Sequence, residues 1–506
     1  MGVGIMRIAF VAPKWHTMVN SYPPLGLGYL AAVMEEEGHV VSIYDLGLDP
    51  DTPLEEDIER IVAFAPDLIG VTAMTNNYHS AEKTIALCKE RIGCPVVIGG
   101  PHATLFPERV TSDPHVDYVV YGEGEETMRD LVRAMVAEGP HPSEETLEAI
   151  QGLCFTSGDH VIRTPARPLI KDLDALPLPA RHLFDLSRYA LYASDGERMV
   201  TLLSSRGCPY NCSYCFKGIV GRTYRQRSPE NVLAEIRELM RTYGYRNFYF
   251  IDDLFTLDRR RLKAISEQII SEGLDIRWQC LARVDRIMLE SLKIMRRAGC
   301  REIHYGIESG NPEILESLNK KITMDQVRRA VAWANEAGIL VKGYFMLGLP
   351  GDTEETMRQT IAFAEELPLD EAMFSLTTPF PGTRLWDDLV ARRPEIQFNQ
   401  DFSQAYYYAR YEDAIKPFLN VSEVSDERLS RLAIEARDAF QEAKRRRKYL
   451  RLFGPLLGGL FFKLSTIPFI RKLGHEILSS RLFENMRRLR KLAHYSLREE
   501  YAEEWN

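Results

Sequence analysis

At 506 residues, with 45% hydrophobic and 27% charged residues, the chain is longer than one hydrophobic core usually grows, so two or three domains are expected and a disordered or fibrous protein is excluded. Its eight cysteines are too few for a disulfide framework, and three fall within eight residues, which points to a reducing compartment and to metal or redox use. The net charge of -9 conceals a division, since residues 441–506 carry +8 and residues 1–440 carry -17, so the two parts favour different surfaces.

The N-terminus runs straight into an apolar stretch with no secretory pattern, so a cytoplasmic protein is expected. Apolar runs at Ile8–Val11, Val40–Tyr44, Leu68–Thr72, Val96–Ile98 and Tyr118–Val120 alternate with helix-length amphipathic stretches. That is the pattern of a doubly wound α/β domain over residues 1–140, with ligands at the carboxyl ends of its parallel strands. Residues 141–194 lose this regularity and read as a linker. A second alternation over residues 195–415 places strands at Val200–Ser204, Phe248–Ile251, Ile276–Leu281, Glu302–Ile307, Val341–Leu347 and Ala372–Thr377, which predicts a partial (β/α)6 barrel. Residues 416–506 have helical spacing and few strand signals.

The segment Arg206-Gly-Cys-Pro-Tyr-Asn-Cys-Ser-Tyr-Cys-Phe216 follows the first strand of the second alternation. Its thiols, Cys208, Cys212 and Cys215, have the spacing C-x3-C-x2-C and can reach three irons of a cubane. No fourth cysteine lies near in sequence, so the fourth iron is left open to a substrate or cofactor. Structural zinc sites instead use paired C-x2-C knuckles and four protein ligands. Cys88, Cys94, Cys154, Cys280 and Cys300 lack ligand spacing and are read as small core hydrophobes.

This segment resembles the hallmark C-x3-C-x-aromatic-C of the radical S-adenosylmethionine (SAM) superfamily, with Tyr214 as the aromatic. The resemblance implies a 4Fe-4S cluster on Cys208, Cys212 and Cys215. It further implies that SAM chelates the open iron and is cleaved to a 5'-deoxyadenosyl radical that abstracts a substrate hydrogen. Downstream, Asp252 and Asp253 occupy the place of the family's amino-group-binding turn, without its usual Gly-Gly-Glu. His304-Tyr-Gly-Ile-Glu-Ser-Gly310 looks like the ribose and carboxylate motif, with Glu308 and Ser309 as contacts. Arg283 is expected to pair with the SAM carboxylate, and Gly343 lies in a segment that resembles the strand beside the adenine.

The first domain is similar to the cobalamin-binding domains that precede this barrel in a large subset of the superfamily. The matching loops end the third to fifth strands and supply Thr72 and Thr75, Gly99 and Gly100, and Gly122, Glu123 and Gly124. Paired glycines admit a bulky ligand close to the backbone, and small hydroxyls can hydrogen-bond its nucleotide tail. His16 stands where many cobalamin domains carry a D-x-H-x-x-G motif, without the Asp or the Gly, and reads either as a lower axial ligand or as a loop histidine.

What the resemblance implies is methyl transfer to an unactivated carbon or phosphorus of a small-molecule or lipid substrate, with a flavodoxin- or ferredoxin-type electron donor. The competing expectations are a cobalamin-dependent cyclase of the anaerobic magnesium-protoporphyrin ester type and, from another class, a cobalamin sensor without turnover. Lys444-Arg-Arg-Arg-Lys448 precedes an apolar run, Leu452 to Ile470, interrupted by Lys463 and two prolines. It is expected either to lie on an anionic membrane face or to dock on the barrel with a solvated basic side. No nucleic-acid partner is expected, because the barrel half is acidic and lacks a recognition motif.

Overall fold

The computed structural model describes residues 4–15, 22–193, 196–396, 402–405 and 416–465, and the chain divides into two compact units, Met1–Ala436 and Arg437–Asn506. His16 lies outside the described residues. The first sheet begins with β1 (Arg7–Ala12), α1 (Leu25–Glu36), β2 (Val40–Asp45), α2 (Leu54–Phe64), β3 (Leu68–Thr72), α3 (Tyr78–Arg91) and β4 (Val96–Gly99). It continues through the short helices α4 (Pro101–Leu105) and α5 (Pro107–Thr111), then β5 (Tyr118–Val120), α6 (Glu125–Glu138), α7 (Glu144–Glu148), β6 (Leu153–Ser157) and β7 (His160–Arg163).

The strand order is β2-β1-β3-β4-β5-β6-β7. Side chains alternate along each strand, so β1 feeds two cores. Ile8, Phe10 and Ala12 pack with Leu27, Met34, Leu131 and Met135 of α1 and α6, while Ala9 and Val11 pack with Ile58, Ile61, Ala81 and Ile85 of α2 and α3. A sheet covered on both faces needs apolar residues at every position, which is why its strands read as unbroken apolar runs. Cys88 and Cys154 are buried in the second core, and burial pushes the Cys88 thiol up to about 12, as suits a packing residue.

Residues 153–163 correct the expected boundary at residue 140. β6 pairs antiparallel with β5, and β7 with β6, so part of the expected linker completes the first sheet. Leu173, Leu176 and Ala180 also enter the first core. Strands of five and four residues, Leu-Cys-Phe-Thr-Ser and His-Val-Ile-Arg, are too short for a periodic pattern to separate them from loop.

The second sheet contains β8 (Met199–Leu202), β11 (Asn247–Phe250), β12 (Arg277–Ala282), β13 (Cys300–Glu308), β14 (Leu340–Leu347) and β15 (Glu371–Leu376), all parallel, in the order β15-β14-β13-β12-β11-β8. Between β8 and β11 lie β9 (Ser205–Arg206) and β10 (Arg225–Gln226), paired antiparallel, and α8 (Pro229–Tyr243). The crossovers are α9 (Arg259–Ser271), α10 (Leu289–Arg297), α11 (Pro312–Ser317), α12 (Met324–Glu336) and α13 (Glu354–Glu366), followed by α14 (Arg384–Arg392) and α15 (Asp426–Ser465). Trp278 of β12 donates to the Ala298 carbonyl at the end of α10 over 2.8 Å, which marks the helix-covered face. Cys280 and Cys300 are fully buried, and burial raises the Cys280 thiol well above its usual range.

Between the first domain and the barrel, Glu235 of α8 accepts from Arg181 over 2.7 Å and from Arg227 over 2.5 Å, with all three side chains at most 4% exposed. Burial alone would raise the Glu235 carboxyl, but the two guanidinium groups outweigh it and hold its pKa below the usual range. Glu235→Gln leaves two buried cations without a counter-charge and is expected to destabilise the fold by about 3–5 kcal/mol in urea unfolding. Because the folded carboxyl is depressed, the pair's contribution is complete above the unfolded glutamate pKa of about 4.3. It is lost as pH falls through the folded value, so the gap between wild type and variant should shrink in acid.

Candidate active site

The loop between β9 and β10 carries the three clustered cysteines. Its first residue, Gly207, has φ 84°, and a Cβ there would collide with the Thr223 carbonyl oxygen across the loop. The loop is pinned from two sides: Ser213 N donates to the Leu318 carbonyl over 3.0 Å, and Leu385 N donates to the Ser213 carbonyl over 2.9 Å. Cys208 is buried, and Cys212 and Cys215 are half-buried. Burial raises the Cys215 thiol while the Lys217 ammonium opposes it. The Arg283 guanidinium lies 3.9 Å from Cys212 Sγ.

Three thiols beside two cations form a donor set suited to anionic sulfur coordination. Among the described residues no three His, Cys, Asp or Glu side chains are gathered to ligand geometry.

At the carboxyl end of β13 the register against β14 shifts between Gly306 and Glu308, and Glu308 adopts φ 70°. A left-handed glutamate is strained and persists only where its surroundings hold it. Here Tyr214 donates to Glu308 Oε1 over 3.0 Å, and Lys320 Nζ donates to that oxygen over 2.8 Å and to the Tyr214 hydroxyl over 2.9 Å. Tyr214 and Glu308, expected as cofactor contacts, therefore meet, and both are joined by a lysine that is only 6% exposed in its side chain. Lys320 was invisible in the sequence, since nothing local distinguishes it from Lys321. A cluster of one carboxylate, one ammonium and one phenol beside the cysteines fits the zwitterionic end of SAM.

Other expected contacts are placed differently. Asp252 is completely buried and accepts from Ser204 N over 2.9 Å, Ser204 Oγ over 3.0 Å and Ser205 Oγ over 2.6 Å. It braces the strand end ahead of the cysteine loop and is closed to a ligand; its neighbour Asp253 is exposed. The Arg283 fork is likewise engaged, by Asp285 over 2.9 Å and the Lys320 carbonyl over 2.7 Å, and it covers the Tyr210 ring at 3.7 Å. Ser309 is fully buried, sharing its hydroxyl with Thr360 over 3.1 Å and accepting from Asn311 N over 3.1 Å. A Cβ on Gly343 would point at Leu369, Phe345 and Ile307, the helix-covered side. Tyr344 and Met346 occupy the opposite face of that strand.

In the first domain, Thr72, Thr75, Gly99, Gly100, Gly122 and Gly124 gather at the carboxyl ends of β3, β4 and β5 as expected. Gly100 has φ 93°, and a Cβ there would stand 2.7 Å from Thr72 Oγ1, while Gly122 N donates to Thr104 Oγ1 over 3.0 Å. Thr75 Oγ1 is 3.3 Å from His102 Nδ1, and the His102 ring stacks on Tyr78 at 3.8 Å. Burial lowers the His102 pKa to about 3, and its Nε2 is buried without a hydrogen-bond partner among the described residues. Small residues around an orphaned imidazole nitrogen fit a large ligand with hydrogen-bonding groups, such as cobalamin.

Glu123 does something the sequence did not suggest. Instead of facing a ligand, its carboxylate accepts from Arg206 over 2.8 Å, Arg225 over 2.7 Å and Ile170 N over 2.9 Å. Glu125 accepts from the other Arg206 nitrogen over 2.6 Å. All four charged side chains are at most 8% exposed. The loop after β5 is thus latched to the two residues that frame the cysteine loop.

Two outcomes follow from this geometry. Gly207→Ala is expected to fold yet to bind less than half the wild-type iron after reconstitution, read from iron content and the cluster's visible absorption. Glu123→Gln leaves Glu125 as the one carboxylate facing Arg206 and leaves Arg225 with none, a loss of about 3–5 kcal/mol in unfolding experiments, and should lower cobalamin and iron retention together.

Residues 202–364 match the radical SAM superfamily model, and residues 16–132 match that of the B12 binding domain. An uncharacterized methyltransferase of Pyrococcus horikoshii is 35% identical over 444 residues, covering 86% of this chain and 92% of that one. The anaerobic magnesium-protoporphyrin IX monomethyl ester cyclase of Rubrivivax gelatinosus is 30% identical over 393 residues, covering 76% and 70%. The solved structure of the radical S-adenosylmethionine methyltransferase TsrM from Kitasatospora setae shares the fold, with a TM-score of 0.66 at 22% identity over 78% of this chain and 79% of that one. The chain belongs to the radical SAM superfamily, in the group that sets a B12 binding domain ahead of the radical SAM domain.

Proposed function

We propose that this protein is a cobalamin-dependent radical SAM methyltransferase that adds a methyl group to an unactivated carbon or phosphorus of a hydrophobic small molecule or lipid. The observation that carries this reading is the latch of Glu123 and Glu125 on Arg206 and Arg225. It joins the first domain's strand-end loops to the cysteine loop, as a reaction shared by the two cofactors requires. When bound, the cluster on Cys208, Cys212 and Cys215 supplies the electron that cleaves SAM to a 5'-deoxyadenosyl radical, and cobalamin carries the methyl group.

The chain's own residues orient and enclose these groups. Lys320 and Glu308 would offer opposite charges to the amino-acid end of SAM, and the Tyr214 hydroxyl, bonded to both, holds that pair in place. On the interior face of the barrel, Tyr249, Leu281, Tyr344 and Met346 offer mainly apolar contact. Between the two tyrosines His304 keeps Nδ1 3.4 Å from Tyr249 Oη and 3.3 Å from Tyr344 Oη, with Nε2 2.7 Å from Glu302. A wall that sets two phenol hydroxyls and an imidazole among apolar side chains favours a substrate with both an apolar surface and hydrogen-bonding groups. A flavodoxin- or ferredoxin-type protein supplies the electron, and the basic C-terminal stretch meets an anionic membrane face.

The test is mass spectrometry of metabolites and lipids from a deletion strain and its parent, both fed methyl-deuterated methionine without oxygen. A species carrying an added labelled methyl only in the parent is expected, and it should vanish in a Cys208→Ala strain. Parent-specific species that differ by hydrogen loss or oxygen insertion, without label, would replace this reading with the cyclase reaction of the Rubrivivax relative.

A further inference from the structure

The described part of the second unit is the end of α15. Gly454 interrupts that helix with φ 76° and ψ 172°, directly ahead of Pro455, and the chain doubles back on itself. A Cβ at Gly458 would stand 2.6 Å from the Tyr449 carbonyl oxygen and 2.7 Å from Leu450 Cα, so only glycine lets the two arms come this close. Phe461 packs on Phe453 with ring centroids 4.8 Å apart, and Phe462 meets Tyr449 edge-on at 6.2 Å.

Closing the arms through Gly458 and Phe462 turns the other helical rows outward. Leu456, Leu460 and Leu464 are spaced four apart, beside Leu457 and Phe461, and so form one face. Leu456 is 89% exposed, Leu457 57%, and Leu452 and Leu460 54% each. An apolar patch of this kind on an otherwise polar surface marks an interaction site. From residue 443 to residue 465 there are seven Lys and Arg and no Asp or Glu, and Lys444, Arg445, Arg446, Lys448, Arg451 and Lys463 are exposed.

These two properties select the occupant. A second copy of the chain would bring the same unbalanced cations together, which opposes pairing. An anionic bilayer face offers negative headgroups at the level of the basic residues and hydrocarbon just beneath. No helix among the described residues is long and apolar enough to cross a membrane, and the exposed leucines lie on a short hairpin broken at Gly454 and Pro455, a shape suited to one leaflet.

We propose that the hairpin around Gly454 is a one-leaflet membrane anchor. Leu452, Leu456, Leu457 and Leu460 enter the acyl boundary while the run from Lys444 to Arg451 lies at the anionic headgroups. The inference rests on the membrane contact given above and adds the inserting element; it is independent of the chemistry in the barrel.

The full-length holoenzyme would be sedimented with vesicles of phosphatidylethanolamine and phosphatidylglycerol, and with phosphatidylcholine vesicles. Wild type is expected to bind the anionic vesicles, and Leu456→Asp/Leu457→Asp should bind them at least about tenfold more weakly with iron and cobalamin content unchanged. Equal binding by variant and wild type would overturn insertion while leaving an electrostatic contact in place. A wild type that ignores anionic vesicles would overturn both. A dimer in light scattering that the variant dissolves would assign the patch to a second copy and overturn the anchor.

Discussion

The Glu123 carboxylate, buried between Arg206 and Arg225, ties the first domain to the loop that carries the cysteines. Two guanidinium groups and two carboxylates removed from water are costly unless each finds its counter-charge, and here Glu125 completes the set. Such a cluster tolerates little displacement, because moving one member leaves another charge unpaired in a low-dielectric setting. Burial alone would raise the Glu123 carboxyl, but the hydrogen bonds from Arg225 and Arg206 outweigh it and keep its pKa low. The latch is therefore charged across the neutral range.

The barrel side is organised by the same rule. Asp252 holds Ser204 and Ser205, Arg261 donates to the Ser204 carbonyl over 2.7 Å, and these contacts set the strand end from which Arg206 reaches the latch. On the far side of the cysteine loop, Arg283 and Lys320 bring positive charge to Cys212 and Glu308. Arg206, Arg225, Asp252, Arg283 and Lys320 are each fixed by at least two partners. A radical reaction needs its reactants held against side reactions, and rigid neighbours do that more reliably than loose ones.

The C-terminal arm obeys a different balance. Its cations and apolar side chains share one short hairpin without acidic residues, and Gly458 closes the turn that puts the leucines outside. The acidic first 440 residues and the basic remainder thus differ in charge, and the hairpin adds an exposed apolar face.

Much of this was legible in the residues alone. The parallel strands of the first sheet followed from nearly unbroken apolar runs, because that sheet is covered on both faces, those of the second followed from mixed segments such as Glu302-Ile-His-Tyr305, and the cysteine spacing located the loop between β9 and β10. The strands β6 and β7 were not legible, since five and four residues look like loop until a sheet edge offers them partners. Nor was the difference between Glu123 and its glycine neighbours, or between Lys320 and Lys321. Local sequence determines which residues can carry charge, thiol or hydroxyl, and the periodicity of the elements they sit on. Which carboxylate joins the first domain to the barrel and which sits beside the cysteines depends on groups about eighty to one hundred residues apart, and only packing, by deciding which charges are buried side by side, settled that.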